Sequence, residues 1–295
     1  LIFFSSFSEV LSLEFVKVDD GVYVHFGKQE DTNKINLGDI ANIGFIVGSK
    51  SIAVIDTGSS VKIGKAMYKK IREISDNPIS HIIITHSHPD HFFGTEAFMK
   101  GKPLIVGHEN LNRSLVNNFD FYKALQFNLT RDESIKSTKL FLANKLIEKN
   151  TDLKINLGGR NLIIKAWSSG HTDNDLSVYD EKSKIFWSEN VFVNRVPSIR
   201  ASIKGWRNNL NEILELDIYK IVPGHGPIMS KKEAISPMID YFNELMTEIR
   251  GFHRSNKSLD YALKNINQDN KQKWLLYEEY HMTNTTKAYT ELEWE

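Results

Sequence analysis

The chain has 295 residues, 41% hydrophobic and 25% charged, with 37 basic residues balanced by 37 acidic ones. This composition supports a large buried core and excludes intrinsic disorder as the main state. Zero net charge argues against a bulk electrostatic grip on nucleic acid or on an anionic membrane. There are no cysteines, which excludes disulfide scaffolds, thiolate zinc fingers, cysteine nucleophiles and CxxC redox sites. Any metal ion would have to be held by His, Asp or Glu.

The opening run Leu1-Ile2-Phe3-Phe4, followed by Ser5-Ser6-Phe7-Ser8, reads either as a signal-peptide remnant or as an N-terminal strand within residues 1–15. The first reading implies a periplasmic or secreted protein, the second a cytoplasmic one. No stretch approaches the roughly 20 apolar residues that a membrane-spanning helix needs. Val22, Val24 and Phe26 alternate with Tyr23 and His25, the pattern of a half-buried strand. Residues 44–48 and 51–55 read as a hairpin turning at Gly48-Ser49-Lys50. Ile63, Ala66, Met67, Ile71 and Ile74 predict a helix over 61–75, with a solvated lysine face. The runs 81–85 and 104–106 suit strands buried on both faces.

Residues 109–149 read as mostly helical. Hairpins follow at 153–157 with 162–167 and at 176–179 with 185–187. A helix is expected at 206–216, then a strand at 218–222 ending in Pro223-Gly224-His225-Gly226. From Lys231 the pattern is helical, with Gly251 as a helix stop. The organisation is therefore one α/β domain over 16–230 and a C-terminal helical extension over 231–295.

The segment Thr85-His86-Ser87-His88-Pro89-Asp90-His91 concentrates four ligand-type residues in six positions. In extended backbone, residues i and i+2 point the same way, so His86 and His88 can share one ion. Pro89 turns the chain, and Asp90 and His91 then reach toward a second ion. Two further histidines, in Gly170-His171-Thr172 and Gly224-His225-Gly226, also follow predicted strands, beside small residues that allow close approach. A first site of His86, His88 and His171 leaves a position open for water, as catalytic zinc sites do. Asp90, His91 and His225 make the second.

With these motifs in place, the chain resembles the metallo-β-lactamase fold superfamily: Asp56-Thr57-Gly58, His86-x-His88-x-Asp90-His91, Gly170-His171-Thr172, Ser188-Glu189-Asn190 and Gly224-His225-Gly226 occur in the matching order. It is similar, more closely, to the quinoprotein relay system zinc metallohydrolases, through residues 39–44, 194–198 and 288–295. The resemblance implies a four-layer αβ/βα sandwich with metals at one edge. It also implies a carboxylate bridging the two ions, a place that falls to Glu189, or to Asn190 after a one-residue shift. Asp56 resembles the family's aspartate that orients a ligand histidine; its alternative is a helix N-cap, which Ser59 or Ser60 could supply instead.

The expected activity is that of a dinuclear zinc-dependent hydrolase, with iron or manganese as alternative metals, acting through a metal-bound hydroxide on a small ester, thioester, lactone or lactam. Asp90 is the expected catalytic group. His108, after the 104–106 strand, faces either the cleft or a loop. Arg195 is a candidate contact for a substrate carboxylate. Trp206 suits the core better than the site, and Phe119, Phe121, Tyr122 and Phe127 either cover the cleft or join the core. Alternatives are a cysteine-free three-His β-lactamase, a mononuclear iron persulfide dioxygenase-like enzyme, and a non-catalytic quinoprotein-associated protein. The partner in the leading case is a small molecule, with no nucleic acid and no membrane span; no pattern fixes an oligomeric state.

Overall fold

The apolar residues of successive strands alternate between two cores, and this alternation builds the layers. The computed structural model describes residues 12–269 and 271–295; the Leu1–Ser8 run, read above as a leader or strand, lies outside them. One sheet runs β1 (Val16–Asp19), β2 (Val22–His25), β3 (Ile43–Val47), β4 (Ile52–Ile55), β5 (Ile79–Ile83), β6 (Leu104–His108) and β7 (Lys145–Ile147), in that spatial order. Its first three junctions are antiparallel and its last three parallel. The other sheet contains β8 (Asp152–Asn156), β9 (Asn161–Ala166), β10 (Leu176–Asp180), β11 (Ile185–Phe192) and β12 (Lys220–His225), in chain-order neighbours, with only β11 and β12 parallel.

Ile46, Ala53, Ile55, Ile83 and Val106 meet Leu162, Ile164, Val178 and Trp187 between the sheets. The alternate residues Ile43, Phe45, Ile52, Val54 and Ile82 face outward. There they are covered by α1 (Val61–Ile74) and by α3 (Leu111–Thr130), which follows the single-turn α2 (Pro89–Phe92). The outer face of the second sheet is covered by α4 (Ile203–Glu215), α5 (Lys231–Arg254), α6 (Leu259–Asn265) and α7 (Tyr277–Leu292). The order is helix, sheet, sheet, helix, the expected four-layer sandwich. Gly44 allows it locally, because a Cβ there would collide with the Trp187 ring from the facing sheet. Arg160 links the layers, donating two hydrogen bonds to the Asp180 carboxylate and one each to the carbonyls of Asp20 and Val47.

Several expectations need correction. The span 109–149 is helical only through α3 and a short 3-10 turn, Glu133–Ser137; it ends in the edge strand β7. Ile147 is drawn into the inter-sheet core, and a three-residue strand is too short to show its period. β1 pairs with β2 where no strand was expected. Gly251 does not stop a helix, since α5 continues to Arg254. A mid-helix glycine costs about 1 kcal/mol, which the burial of Tyr241, Phe242, Leu245, Met246 and Ile249 along α5 outweighs. β11 and β12 run on to Phe192 and His225, so Glu189 and His225 sit on strands rather than in loops.

The C-terminal layer carries its own buried titratable group. His281 of α7 is 4% exposed, stacks on Tyr277 at 4.3 Å and meets the Tyr241 hydroxyl through Nδ1 at 3.0 Å. Burial pushes its pKa down from 6.5 to about 4. The folded state thus holds His281 neutral where the unfolded chain would protonate it. Its contribution is complete above pH 6.5 and is lost as pH falls toward 4. Chemical denaturation of wild type and His281→Phe across this window should show wild type losing about 2–3 kcal/mol more than the variant. Equal losses would mean that the ring does not titrate in this window.

Candidate metal centre

All candidate ligands lie at one edge of the sandwich, where strands of both sheets end. β5 stops at Ile83, the chain bends at His86 and Ser87, His88 is extended, and Pro89 opens α2 at the position where its missing N–H is harmless. His86 Nε2 lies 2.9 Å from His88 Nδ1, and His171 Nε2 lies 3.1 Å from the same atom. Three ring nitrogens therefore converge on one point, and the three residues form a group able to hold a metal ion. The outward nitrogen of His171 donates to the Ser198 carbonyl at 2.8 Å, and that of His86 lies 3.2 Å from Thr85 Oγ1. Burial holds His86 and His171 well below the usual imidazole range and His88 at about 4. All three are neutral at pH 7, the form that ligates metals.

Asp90, His91 and His225 form a second such group. Asp90 Oδ2 lies 3.3 Å from His91 Nε2 and 3.9 Å from His225 Nε2. His225 Nδ1 donates to the Ile40 carbonyl and His91 Nδ1 to Asp56 Oδ2, each at 2.8 Å, so both rings turn Nε2 inward. Burial opposes charge on His91, but Asp90, Asp56 and Glu189 outweigh it and hold its pKa well above the ordinary value. Asp90, despite its own burial, is held far below the usual carboxylate range by His91 and the other nearby histidines.

Asp56 is fully buried and also accepts the Thr85 N–H and hydroxyl. Ser60, not Asp56, caps α1. Of the two alternatives at the bridging position, Glu189 is the one whose carboxylate reaches the cluster, 3.5 Å from His91 Nδ1 on the Asp56 side of the ring. It forms a third group with Asp56 and His91. Asn190 is buried, its side chain makes no hydrogen bond among the described residues, and its carbonyl accepts the Trp206 indole N–H. Both Glu189 oxygens and His91 Nε2 are buried without hydrogen-bond partners. Burial, with Asp56 and Asp90 adding to it against His91, raises the Glu189 pKa well above its ordinary value. Converging neutral imidazoles beside unpartnered carboxylate oxygens form a donor set that fits a divalent cation.

The groups open into a cleft of about 480 Å³, lined by His88, Asp90, His171 and His225 and by Tyr122, Phe121, Arg195 and Arg200 among others. Arg195 is there as expected, buried, with its guanidinium held by Asp31 and by the Tyr280 hydroxyl. Phe121 and Tyr122 line the cleft, whereas Phe119 and Phe127 pack toward the core under α3. Trp206 is core, its ring 5.0 Å from that of His171. His108 is a correction: it is fully buried outside the cleft, donating through Nε2 to the Trp167 carbonyl and accepting the Asn110 N–H at Nδ1. It ties the two sheets together.

Sequence reasoning missed the residues that hold the loop 195–204. Tyr280, Asn284 and Glu291 project from α7 onto it. Asn284 donates to the Pro197 carbonyl at 2.6 Å and accepts the Ile199 N–H at 2.9 Å. Glu291 accepts from the Ser202 hydroxyl and the Ile203 N–H at the start of α4. The loop so held supplies the Ser198 carbonyl to His171. Asn42 acts similarly for His225, its side chain donating to the carbonyls of Pro223 and Gly226. Only the spacing of 280, 284 and 291 on one helical face hinted at a role.

A sequence model of the metallo-beta-lactamase superfamily matches residues 37–225, and the chain belongs to that superfamily. It is 41% identical over 62 residues to a linear primary-alkylsulfatase of Pseudomonas sp. (strain ATCC 19151), covering 21% of this chain and 12% of that protein. It is 23% identical over 185 residues to the beta-lactamase-like protein 2 homolog of Caenorhabditis elegans, covering 62% and 55%. The chain thus spans little more than half, or less, of the curated relatives it matches. Among solved structures it resembles a metallo-beta-lactamase from Pontibacter korlensis (TM-score 0.62, 18% identity, 79% of this chain and 99% of that one). It also resembles a stereoselective inverting sec-alkylsulfatase from Pseudomonas sp. (TM-score 0.74, 17% identity, 95% and 50%). These structural likenesses show the fold. Among the described residues no helix is long and apolar enough to cross a membrane.

The brace from α7 generates a prediction. Asn284→Ala should leave the chain folded, at a cost of about 1–3 kcal/mol for the unpaired loop groups. It should weaken metal binding by about tenfold, as loss of support behind a ligand does, in a chelator competition. Unchanged metal affinity would separate Asn284 from His171.

Proposed function

We propose that the chain is a dinuclear zinc-dependent hydrolase of a small ester, thioester, lactone or lactam. The observation that carries this reading is the pair of three-residue groups at the floor of one cleft, His86 with His88 and His171, and Asp90 with His91 and His225. Glu189, with two buried unpartnered oxygens on the Asp56 side of His91, is the proposed further carboxylate ligand of the centre. Divalent ions held by these groups would lower the pKa of a bound water from about 15.7 toward 7 and would polarise the substrate's carbonyl, making its carbon more electrophilic.

The chain's own residues do the rest. Asp90, ionised at neutral pH, orients the attacking water through its carboxylate and hands its proton toward the leaving group. Asp56 and the carbonyls of Ser198 and Ile40 keep the rings in the tautomers that turn the lone pairs inward. Tyr122, over His88, and Pro89 narrow the approach and limit competing water. The alkylsulfatases among the relatives extend the ester class to sulfate esters.

Elemental analysis of protein purified without added metal should give two zinc per chain. Hydrolysis of p-nitrophenyl acetate should cease on chelation, return with zinc, and decline at acid pH as protons compete for the imidazoles. Asp90→Asn should cut kcat by about 100-fold or more. One iron per chain would replace this reading with the mononuclear dioxygenase. Rapid turnover of a chromogenic cephalosporin would select the β-lactamase.

A further inference from the structure

The cleft has two unlike walls. Phe121, Leu125 and Leu129 occupy positions i, i+4 and i+8 of α3, all three line the cleft, and they are 63%, 37% and 42% exposed. They form one stripe over eight residues, about 12 Å long at 1.5 Å per residue. An apolar stripe left open beside a site of chemistry marks a binding surface. Arg195 and Arg200 line the same cleft. Arg195 is neutralised by Asp31. Arg200 forms no ion pair among the described residues. Its backbone N–H is fixed to the His171 carbonyl, and its guanidinium lies 5.9 Å from the Tyr280 ring. The other acid facing the cleft, Asp90, is engaged with His91. An uncommitted cation thus stands beside the His171 group, in a cleft that also carries a hydrocarbon surface.

We propose that the substrate is a single-chain anionic amphiphile, its alkyl chain lying on Phe121, Leu125 and Leu129 and its negative group held by Arg200 next to the scissile ester. This rests on the cleft being the substrate site of the hydrolase proposed above. Water cleaves the ester bond: an alkyl sulfate gives the alcohol and sulfate, and an alkyl half-ester of a dicarboxylic acid gives the alcohol and the dicarboxylate, each with release of one proton. The shared chemistry is one negative charge at the headgroup end of one hydrocarbon chain, on the sulfate ester itself or on a carboxylate beyond the acyl ester. A planar guanidinium suits either, because its fork matches two oxygens at once. Chain length should set affinity, since each methylene moved from water onto the stripe is worth about two- to fourfold.

Binding can be read without turnover. Calorimetric titration of the metal-free protein with dodecanesulfonate and butanesulfonate, below micellar concentrations, should show the long chain binding at least tenfold tighter. The double variant Phe121→Ser, Leu125→Ser should remove that preference and leave butanesulfonate unchanged. Arg200→Met should weaken both sulfonates about tenfold and leave an uncharged dodecyl glycoside unaffected. The substituted side chains are solvent-facing, so folding is retained; circular dichroism checks it. Dodecanoate in place of dodecanesulfonate tells which headgroup is preferred. On the zinc-loaded protein, dodecyl sulfate and a dodecyl half-ester of succinate should be hydrolysed with lower KM than their butyl counterparts. Equal affinity for long and short chains, equal affinity for dodecyltrimethylammonium, or indifference to either set of substitutions would overturn the proposal. Loss of the chain-length effect alongside intact zinc-dependent hydrolysis of p-nitrophenyl acetate would defeat this inference alone. Selective amphiphile binding by a protein that takes up no second ion would defeat the dinuclear reading and leave the amphiphile site standing.

Discussion

The Asp56 carboxylate is the interaction on which the site depends. It is fully buried and accepts from His91 Nδ1, from the Thr85 backbone and from the Thr85 hydroxyl. Those bonds join the end of β4 to the end of β5 and to α2, a junction that the Thr57 hydroxyl also serves by donating to the His91 carbonyl. A buried carboxylate is costly unless its acceptor sites are filled, so this one fixes its donors as firmly as they fix it. Asp56 also takes a φ of 55°, a left-handed conformation that side chains other than glycine adopt at a cost of about 1–2 kcal/mol. The three bonds offset that strain. What results is a His91 ring that can offer only Nε2 to the cleft.

The same device recurs at the other ligands, with partners 27 to 185 positions away in sequence. His225 is turned by the Ile40 carbonyl, 185 positions away, and His171 by Ser198. Ser198 belongs to a loop that α7 braces through Asn284 and Glu291, beside the loop's own backbone bonds to Gly170 and His171. The C-terminal helices are therefore part of the centre's construction, although no residue of α7 belongs to a ligand group. Their cost in chain length also yields the cleft's cationic wall, because the loop held by Asn284 and Glu291 carries Arg195 and Arg200.

The strongly periodic elements and the His86–His91 run were legible because each is a local pattern: alternation for β3 and β4, helical spacing for α1, and ligand-type residues crowded into six positions for His86–His91, although the chain bends at His86 and Ser87 rather than staying extended. Asp56 was legible only through its place in a motif. β7 and β1 escaped because edge strands of three or four residues, partly exposed, leave too little periodicity to separate them from loop. Gly251 misled because a propensity of about 1 kcal/mol was weighed without the α5 face that overrides it. His108 read as facing either the cleft or a loop, but it ends β6 and its ring turns to the Trp167 carbonyl of the other sheet, a contact no local pattern announces. Arg200, Tyr280 and Asn284 were illegible for the same reason: each is an ordinary residue whose meaning lies in a partner about 85 positions away or in a shared cleft.

Charge accounting explains why the centre calls for cations. Asp56, Asp90 and Glu189 gather around one imidazole, and His91 alone can carry at most one positive charge. Asp90 is held ionised while burial drives Glu189 toward its neutral form. Like charges this close cannot all be ionised without compensation, and the remaining histidines are held neutral by burial, so they supply none. Divalent ions at the two groups would reverse the balance: Glu189 could ionise, and its two unpartnered oxygens would acquire the partners they lack. Glutamate suits this place because it is one methylene longer than aspartate, a reach that lets its carboxylate pass the close backbone of Gly224, where a Cβ would crowd it. The reach of Glu189 and the absence of a side chain at Gly224 are thus one adaptation seen from two strands.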